Sequence, residues 1–190
     1  MSLAARVLPT TPEDYLKHET DSPIKHEYLD GQIVAMAGAG ERHNRIALNA
    51  AFRLRSAARG SPCGVFISDM KLRVETTNAF YYPDVMLVCA DDDHPHYKTR
   101  PCVVIEVLSP STAAIDQREK WLAYRTLPTL SLYLLVDTEK RHVAYWQRDG
   151  EQWRQGTLEE TEVLTLDCPP LKIPLCLDDL YEDVEGLNQP

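Results

Sequence analysis

The sequence has no long hydrophobic run. No segment approaches the ~18 consecutive apolar residues that a helix needs to cross a bilayer. The opening residues, MSLAARVLPTTPEDY, also lack the continuous apolar stretch of a secretory signal. These two absences predict a protein without a membrane segment, and we expect it in the cytoplasm.

Cysteine motifs and nucleotide-binding loops are missing as well. The five cysteines are an odd number and none belongs to a CxxC pair, so their spacing supports neither a disulfide framework nor a thiolate zinc site. Cys89 and Cys102 lie in valine-rich runs, where a reduced cysteine behaves as a small apolar residue. Neither GxGxxG nor a phosphate-binding loop occurs, so nucleotide binding through those motifs has no support.

Positive charge is scarce, because 20 lysine and arginine residues stand against 29 aspartate and glutamate residues, for a formal net charge of −9. Basic residues supply most non-specific affinity for nucleic acid, so this balance argues against a protein that coats DNA or RNA. It leaves room for an enzyme with a local basic groove. Arg42 and Arg45 are candidate contacts to a nucleic-acid backbone, and the alternative is a solvated helix face.

The length of 190 residues and the 44% hydrophobic content predict one domain, over residues 1–190, with a well-developed core. The elements predicted first in chain order are a helix from Thr11-Pro12, a hairpin turning at Asp30-Gly31, a helix over 41–59 and three strands. They are followed by a helix that is capped within Ser109 to Thr112 and runs to about Thr126, a buried strand and a hairpin at Asp149-Gly150. This order favours an α/β or α+β fold, with a mixed central sheet flanked by helices.

Two details of this prediction concern strands. Period-two alternation predicts one continuous strand from Val65 to Glu75. After the second hairpin the pattern assigns no strand to the proline-rich tail, which ends in the short acidic segment LDDLYEDV.

A carboxylate interrupts the apolar run VVIEVL. Glu106 is flanked by Ile105 and Val107, and an ionised carboxylate is costly to bury unless a partner neutralises it. If YPDVMLV and CVVIEVL pair antiparallel about a register centred on Pro95, Asp84 lies opposite Glu106 on the same sheet face. Two carboxylates that close repel each other, and a shared proton or a bound divalent cation would relieve the repulsion. The pair therefore predicts a site for Mg²⁺ or Mn²⁺.

Ordinary structural roles remain open for both carboxylates. Asp84 could be a turn residue after Pro83, whose fixed φ suits a strand boundary. Glu106 could be half-buried on an exposed sheet face.

A Pro-Asp pair followed about twenty residues later by a glutamate in an apolar strand resembles the PD-(D/E)XK restriction-endonuclease-like superfamily. The resemblance is more specific to the Uma two family, whose members are proposed bacterial endonucleases. It extends over residues 10–185, and the stretches that carry it are HEYLDGQIVAMAG with His43, YYPDV, VVIEVLSPST, Asp116-x-x-x-Lys120-x-x-x-Tyr124 and LYLLVD.

The resemblance implies a restriction-endonuclease-like fold in which Asp84 and Glu106 are the catalytic, metal-binding carboxylates of a phosphodiesterase. The chain departs from the superfamily pattern at Leu108, where a lysine is expected. The resemblance implies that Lys120, on the following helix, takes over as the third catalytic residue. The alternative is an i, i+4 pair with Asp116 on a solvated surface.

Three further residues are candidates for supporting roles. Glu27 resembles the early glutamate of the family, and its alternative is a cross-strand ion pair. His43 could contact phosphate or carry a proton, or could be a capping or solvated residue. Asp69 could be another acid near the pair, or a surface carboxylate paired with Lys71.

Together these features predict a metal-dependent endonuclease that hydrolyses nucleic acid, with DNA as the expected substrate. A homodimer is expected, since cutting both strands of a duplex favours two-fold symmetry. Two alternatives are a catalytically silent nuclease fold that acts as a binding or regulatory module, and a metal-dependent hydrolase of small phosphorylated metabolites.

Overall fold

The computed structural model describes residues 10–90, 94–108 and 115–187, apart from the side chains of residues 115–117. The helices are α1 (Pro12–Asp21), α2 (Glu41–Ala57), α3 (Ile115–Tyr124) and α4 (Leu177–Tyr181). The strands are β1 (His26–Leu29), β2 (Gln32–Ala35), β3 (Gly64–Ile67), β4 (Lys71–Val74), β5 (Ala79–Tyr81), β6 (Val85–Val88), β7 (Tyr97–Lys98), β8 (Val103–Leu108), β9 (Leu132–Asp137), β10 (Val143–Asp149), β11 (Gln152–Leu158), β12 (Leu164–Cys168) and β13 (Leu171–Leu175).

A six-stranded mixed sheet in the order β11-β10-β9-β8-β6-β3 forms the centre of the fold. The β8–β9 pair is parallel and the other neighbouring pairs are antiparallel. Helix α2 packs on one face of this sheet through Ile46, Ala50 and Leu54, which share one side of the helix. Helix α3 packs on the other face through Ala123 and Tyr124. The prediction of a mixed sheet flanked by helices is therefore confirmed.

A second sheet of five strands, in the order β2-β1-β5-β4-β7, covers part of the same face as α3. Its β4 and β5 residues Leu72 and Tyr81 pack with Met86 and Val104 of the central sheet. The sequence analysis predicted the central sheet but not this second one. Pro83 separates β5 from β6, because proline cannot donate a ladder hydrogen bond, and the two halves of YYPDVMLV enter different sheets.

The predicted continuous strand from Val65 to Glu75 is also wrong. The backbone turns after β3, where the Met70 N–H donates to the Ile67 carbonyl at 2.8 Å, and the chain re-emerges as β4. Strand β3 pairs with β6 in the central sheet and β4 pairs with β5 in the second sheet. The alternation of apolar and polar residues continues across the turn, so the sequence pattern gives no sign that the strand ends there.

The tail holds a hairpin that was not predicted. Strands β12 and β13 pair antiparallel from Leu164–Leu175 to Cys168–Leu171. The inward residues of this hairpin pack on the α2 side of the central sheet together with Leu180 and Tyr181.

The cysteines contradict the expectation of isolated apolar thiols. Cys63 is joined to Cys89, and Cys102 is joined to Cys168. Cys176 is free. Local spacing gave no sign of these pairs because each joins residues from different strands or strand ends.

Several local predictions are confirmed. Thr11 caps α1, since its side chain accepts the Asp14 N–H at 3.1 Å. Asp30 and Gly31 turn the β1–β2 hairpin with positive φ values of 44° and 93°. The predicted cap of α3 at Ser109 to Thr112 lies outside the described residues. Within the described ranges, no helix combines the length and apolar character needed to cross a membrane.

Candidate active site

The register of β6 against β8 brings the two predicted carboxylates together. Val85 pairs with Ile105 and Leu87 pairs with Val103. Continuing the same register by one residue places Asp84 opposite Glu106, as the sequence predicted. Their strand neighbours on the same parity face α3, because Met86 and Val104 share a core with Tyr124.

Asp84 is fixed by the backbone of β8. Its Oδ2 accepts the Val107 N–H at 2.8 Å and lies 3.2 Å from Nε2 of His43. His43 lies in the first turn of α2, at the positive end of the helix dipole, which favours an ionised carboxylate nearby. These contacts show that Asp84 is not simply a turn residue and that His43 is not solvated. The two side chains contact each other and are mostly buried.

Glu106 is only 7% exposed, which rules out half-burial on an open sheet face. Its Oε1 accepts the Tyr124 hydroxyl at 2.8 Å and lies 3.6 Å from the Lys120 ammonium. Burial raises the pKa of Glu106 to about 8. The positive charge of Lys120 and the hydrogen bond from Tyr124 lower this pKa, whereas the nearby carboxylates of Asp84 and Glu27 raise it further. The free protein therefore holds Glu106 largely protonated at neutral pH.

Lys120 approaches this carboxylate from α3. It is 7% exposed, and its Nζ lies 3.0 Å from Oε1 of Glu27 and 5.8 Å from the centre of the Tyr81 ring. The alternative of a solvated surface lysine is wrong. Glu27, on β1, faces this ammonium rather than a charged residue across the strand, since its cross-strand partner is Val34.

Carboxyl groups outnumber cationic groups in the cluster formed by Glu27, His43, Asp84, Glu106 and Lys120. Three carboxylates share one ammonium and one imidazole. Among the described side chains, no three histidine, aspartate or glutamate ligand atoms all lie within 4.8 Å of one another. The arrangement therefore offers a pair of carboxylates to a cation, rather than a complete set of protein ligands.

The half-buried Leu108 stands at the end of β8, at the position where the resemblance led us to expect a lysine. Instead, the ammonium of Lys120 reaches Glu106 from α3. Lys120 lies one helical turn before Tyr124, so both side chains contact Glu106. The structure thus places Lys120 beside Glu106, on the helix that follows β8.

Asp69 is not part of the cluster. Its side chain is 78% exposed, lies in the turn between β3 and β4 and pairs with Lys25 rather than with Lys71. The parity argument failed because the chain turns at this point.

Arg42 and Arg45 lie near His43 in the first turns of α2. Arg42 pairs with Glu139 at 3.2 Å and Arg45 pairs with Glu41 at 2.9 Å. Both guanidinium groups retain partial exposure at the surface.

Two tyrosines that contact the cluster were not among the predicted site residues. Tyr124 and Tyr81 each appear in the sequence only within the stretches that resemble the family. A hydroxyl four residues after Lys120, on the same helical stripe, was the available signal for Tyr124. Tyr81 gave no comparable signal, because its position depends on the break at Pro83.

Comparison with known families gives a match over most of the chain. A model of the Uma two family (Uma2), described as "Putative restriction endonuclease", matches residues 12–175. Two similar proteins come from Synechocystis sp. (strain ATCC 27184 / PCC 6803 / Kazusa). "Uncharacterized protein sll1609" is 34% identical over 158 residues, covering 80% of this chain and 89% of that protein. "Uncharacterized protein slr1290" is 36% identical over 146 residues, covering 75% and 77%.

A solved structure has the same fold. It is described as "a putative nuclease belonging to DUF820" from Anabaena variabilis ATCC 29413 and superposes with a TM-score of 0.70 at 16% identity. The match covers 91% of this chain and 98% of the other.

Proposed function

The chain belongs to the Uma2 family, and from this premise and its buried carboxylates we propose that it is an endonuclease dependent on a divalent cation. The observation that supports this most strongly is the convergence of three carboxyl groups, Glu27, Asp84 and Glu106, on one ammonium and one imidazole. Three ionised carboxylates would be costly to bury together unless a proton or a cation compensated their charge. In the free protein the proton on Glu106 does this, and a divalent cation would take the place of that proton.

The donor set fits Mg²⁺ or Mn²⁺. In the described part of the chain, the hydrogen bonds and ion pairs of Asp84 fall on Oδ2 and those of Glu106 fall on Oε1. Asp84 and Glu106 would hold the cation, with water and substrate phosphate completing the oxygen ligands that such ions prefer. When bound, the cation would supply charge neutralisation at the phosphodiester and a water of lowered pKa.

The remaining side chains have roles that follow from their contacts. Lys120 stabilises negative charge on the phosphoryl group or orients the attacking water from its position beside Glu106. Tyr124 holds Oε1 of Glu106 in place, and Glu27 holds the Lys120 ammonium. His43 contacts Asp84 and could carry a proton to or from the site.

The proposed substrate is DNA. Arg42 and Arg45 flank His43 at the N-terminal end of α2, where the helix dipole also favours phosphate. Because the chain carries a net charge of −9, affinity would depend on this local region, and it should weaken as salt increases. We propose a cytoplasmic location.

We further propose a homodimer. Leu48 and Phe52 lie one turn apart on α2 with 64% and 70% exposure, which supports a second copy of the chain as the partner of this face. Light scattering should give twice the mass of one chain, and Phe52→Ser should lower it. A monomeric mass for the unaltered protein would refute the dimer.

Cleavage of supercoiled plasmid tests the enzyme proposal. With added Mg²⁺ or Mn²⁺, the unaltered protein should nick or linearise the plasmid, and chelator should abolish the reaction. Asp84→Asn, Glu106→Gln and Lys120→Met should each lose activity while keeping their circular dichroism spectra. Single-stranded RNA as a second substrate separates DNA from RNA specificity.

Glu119→Gln is the matched control for these variants. Glu119 is an exposed carboxylate on α3, next to Lys120, and its replacement should leave cleavage unchanged. Equal cleavage by the unaltered protein and Asp84→Asn would show that the activity comes from a contaminant and would remove the enzyme proposal.

A silent binding module is the second candidate function. It is favoured by the ion pairs that already neutralise part of the cluster through Lys120, and by the absence of a third close ligand among the described side chains. Calorimetry with Mn²⁺ distinguishes the two. A nuclease site should bind the cation in the unaltered protein and lose it in Glu106→Ala, whereas a silent module should show no binding in either.

A further inference from the structure

Four cysteine side chains meet at one end of the central sheet. Cys63 precedes β3, Cys89 follows β6, Cys102 precedes β8 and Cys168 ends β12. The bonded pairs Cys63–Cys89 and Cys102–Cys168 are not separate, because the sulfur atoms of Cys89 and Cys168 lie 3.4 Å apart. The ligand atoms of Cys89, Cys102 and Cys168 all lie within 4.8 Å of one another. The four sulfurs therefore form one group, which we call the cysteine cluster.

The fold brings these residues together. Gly64 pairs with Val88, so the next residues outward, Cys63 and Cys89, stand opposite each other across β3 and β6. Cys102 enters from the neighbouring strand, where its N–H donates to the Leu87 carbonyl at 2.8 Å. The cluster therefore depends on the register of the sheet and not on a chance surface encounter.

Cys168 is delivered by the β12–β13 hairpin. The hydroxyl of Ser131 lies 2.9 Å from both the Cys102 and the Asp167 carbonyl oxygens, which ties the end of the hairpin to the start of β8. Cys168 is fully buried, and Cys63 and Cys102 are buried. A ligand bound by the cysteine cluster would connect the β12–β13 hairpin to the ends of β3, β6 and β8.

The cluster is distinct from the candidate active site. Asp84 and Cys89 lie at opposite ends of β6, and Glu106 and Cys102 lie towards opposite ends of β8. At ~3.3 Å per residue, the five-residue separation along β6 places the two sites on the order of 15 Å apart. The cysteines therefore have no part in the carboxylate chemistry.

We propose that the reduced protein binds one zinc ion through the thiolates of Cys63, Cys89, Cys102 and Cys168. A tetrahedral tetrathiolate with Zn–S bonds of ~2.3 Å needs sulfur atoms about 3.8 Å apart. The Cys89 and Cys168 sulfur atoms, 3.4 Å apart, are already near this separation. Once the two disulfides are reduced, side-chain rotations can bring the formerly bonded sulfurs to it. Reduction of each disulfide by a thiol reductant takes two electrons and two protons and gives the four thiols, and each thiol then loses its proton as it binds zinc. Two disulfides would use the same sulfurs and exclude the ion.

The zinc ion has a structural role in this proposal. All four positions are taken by protein ligands, which is the arrangement of structural zinc sites, whereas catalytic sites keep a position for water. Binding should stabilise the fold, because the unfolded chain does not hold the four residues together.

Metal analysis of the native protein tests the proposal. Protein purified with a thiol reductant and without chelator should contain one zinc per chain by plasma mass spectrometry. After removal of the zinc, Co²⁺ should produce the visible and near-ultraviolet absorption of a tetrahedral thiolate complex. This measurement uses the unaltered chain, so it does not depend on whether a variant folds.

Matched variants identify the ligands. Cys102→Ser and Cys168→Ser should lose the bound zinc, whereas Cys176→Ser should keep it, because Cys176 lies apart and contacts Asp179. If a ligand variant fails to fold, the cobalt spectrum of the unaltered protein still decides the matter.

A thiol count on protein purified without reductant and then denatured with chelator separates the two chemistries. Zinc binding predicts that all five cysteines react with a thiol reagent. Two disulfides predict that Cys176 alone reacts. Metal-free protein with one reactive thiol, or with five reactive thiols and no cobalt spectrum, would overturn the proposal.

Discussion

Glu106→Gln in metal-free protein should change how stability depends on pH. Because the pKa of Glu106 rises from 4.5 in the unfolded chain to about 8 in the folded protein, the native state retains a proton that the unfolded chain releases between these values. Stability therefore falls as pH rises through this window. Glutamine has no proton to lose, so the free energy of unfolding of Glu106→Gln should not include this part of the decrease with pH.

The magnitude follows from the two pKa values. At about 1.4 kcal/mol per pH unit, the full shift corresponds to about 5 kcal/mol, reached above pH 8 and absent below pH 4.5. Between about pH 5 and about pH 8, the stability of the variant relative to the unaltered protein should rise by up to about 4 kcal/mol. Water entry and local relaxation would reduce this value, so it is an upper bound.

Urea unfolding in the presence of chelator measures the effect. The free energy of unfolding is determined for both proteins at several pH values, and the difference is followed with pH. Glu119→Gln, which removes an exposed carboxylate from α3, is the control. Its difference in free energy of unfolding from the unaltered protein should not change with pH. A flat difference for Glu106→Gln as well would refute the view that burial holds this carboxyl in its protonated form.

Three further substitutions test individual contacts. Tyr124→Phe removes the 2.8 Å hydrogen bond to buried Glu106 and should lower the free energy of unfolding by about 1–3 kcal/mol in urea; unchanged stability would contradict this role. Lys120→Met leaves Glu27 and Glu106 without their ammonium and should cost about 3–5 kcal/mol. Its melting temperature should gain more from Mn²⁺ than that of the unaltered protein, and an equal gain would count against a cation site. Gly31→Ala, at φ 93°, should cost about 1 kcal/mol in thermal denaturation, and a neutral effect would show that the turn can relax.

The position of the two carboxylates could be predicted from the sequence because strand pairing has a simple rule. Antiparallel partners keep a constant sum of residue numbers, and the loop between β6 and β8 indicated where the centre lay. The observed pairs Val85–Ile105 and Leu87–Val103 follow that register. Burial of Glu106 also followed from its apolar neighbours.

Features that depend on non-local contacts were not visible in the same way. Alternation runs through both β3 and β4, so it cannot reveal that the chain turns between them and leaves Asp69 exposed. The hairpin of the tail alternates in LTLDC, but the surrounding prolines favoured an irregular segment. Cys63 and Cys89 are 26 residues apart and meet only because of the sheet register.

Lys120 illustrates a difference between strands and helices as supports for a catalytic group. A side chain on β8 can reach the active-site face only at every second position, whereas α3 rotates by about 100° per residue. One residue inserted between Ile115 and Lys120 would therefore swing the ammonium away from Glu106. Inserting a complete turn would restore its direction but displace it by about 5.4 Å along the helix. Length variation among relatives in this helix should therefore come in whole turns, or coincide with loss of the lysine.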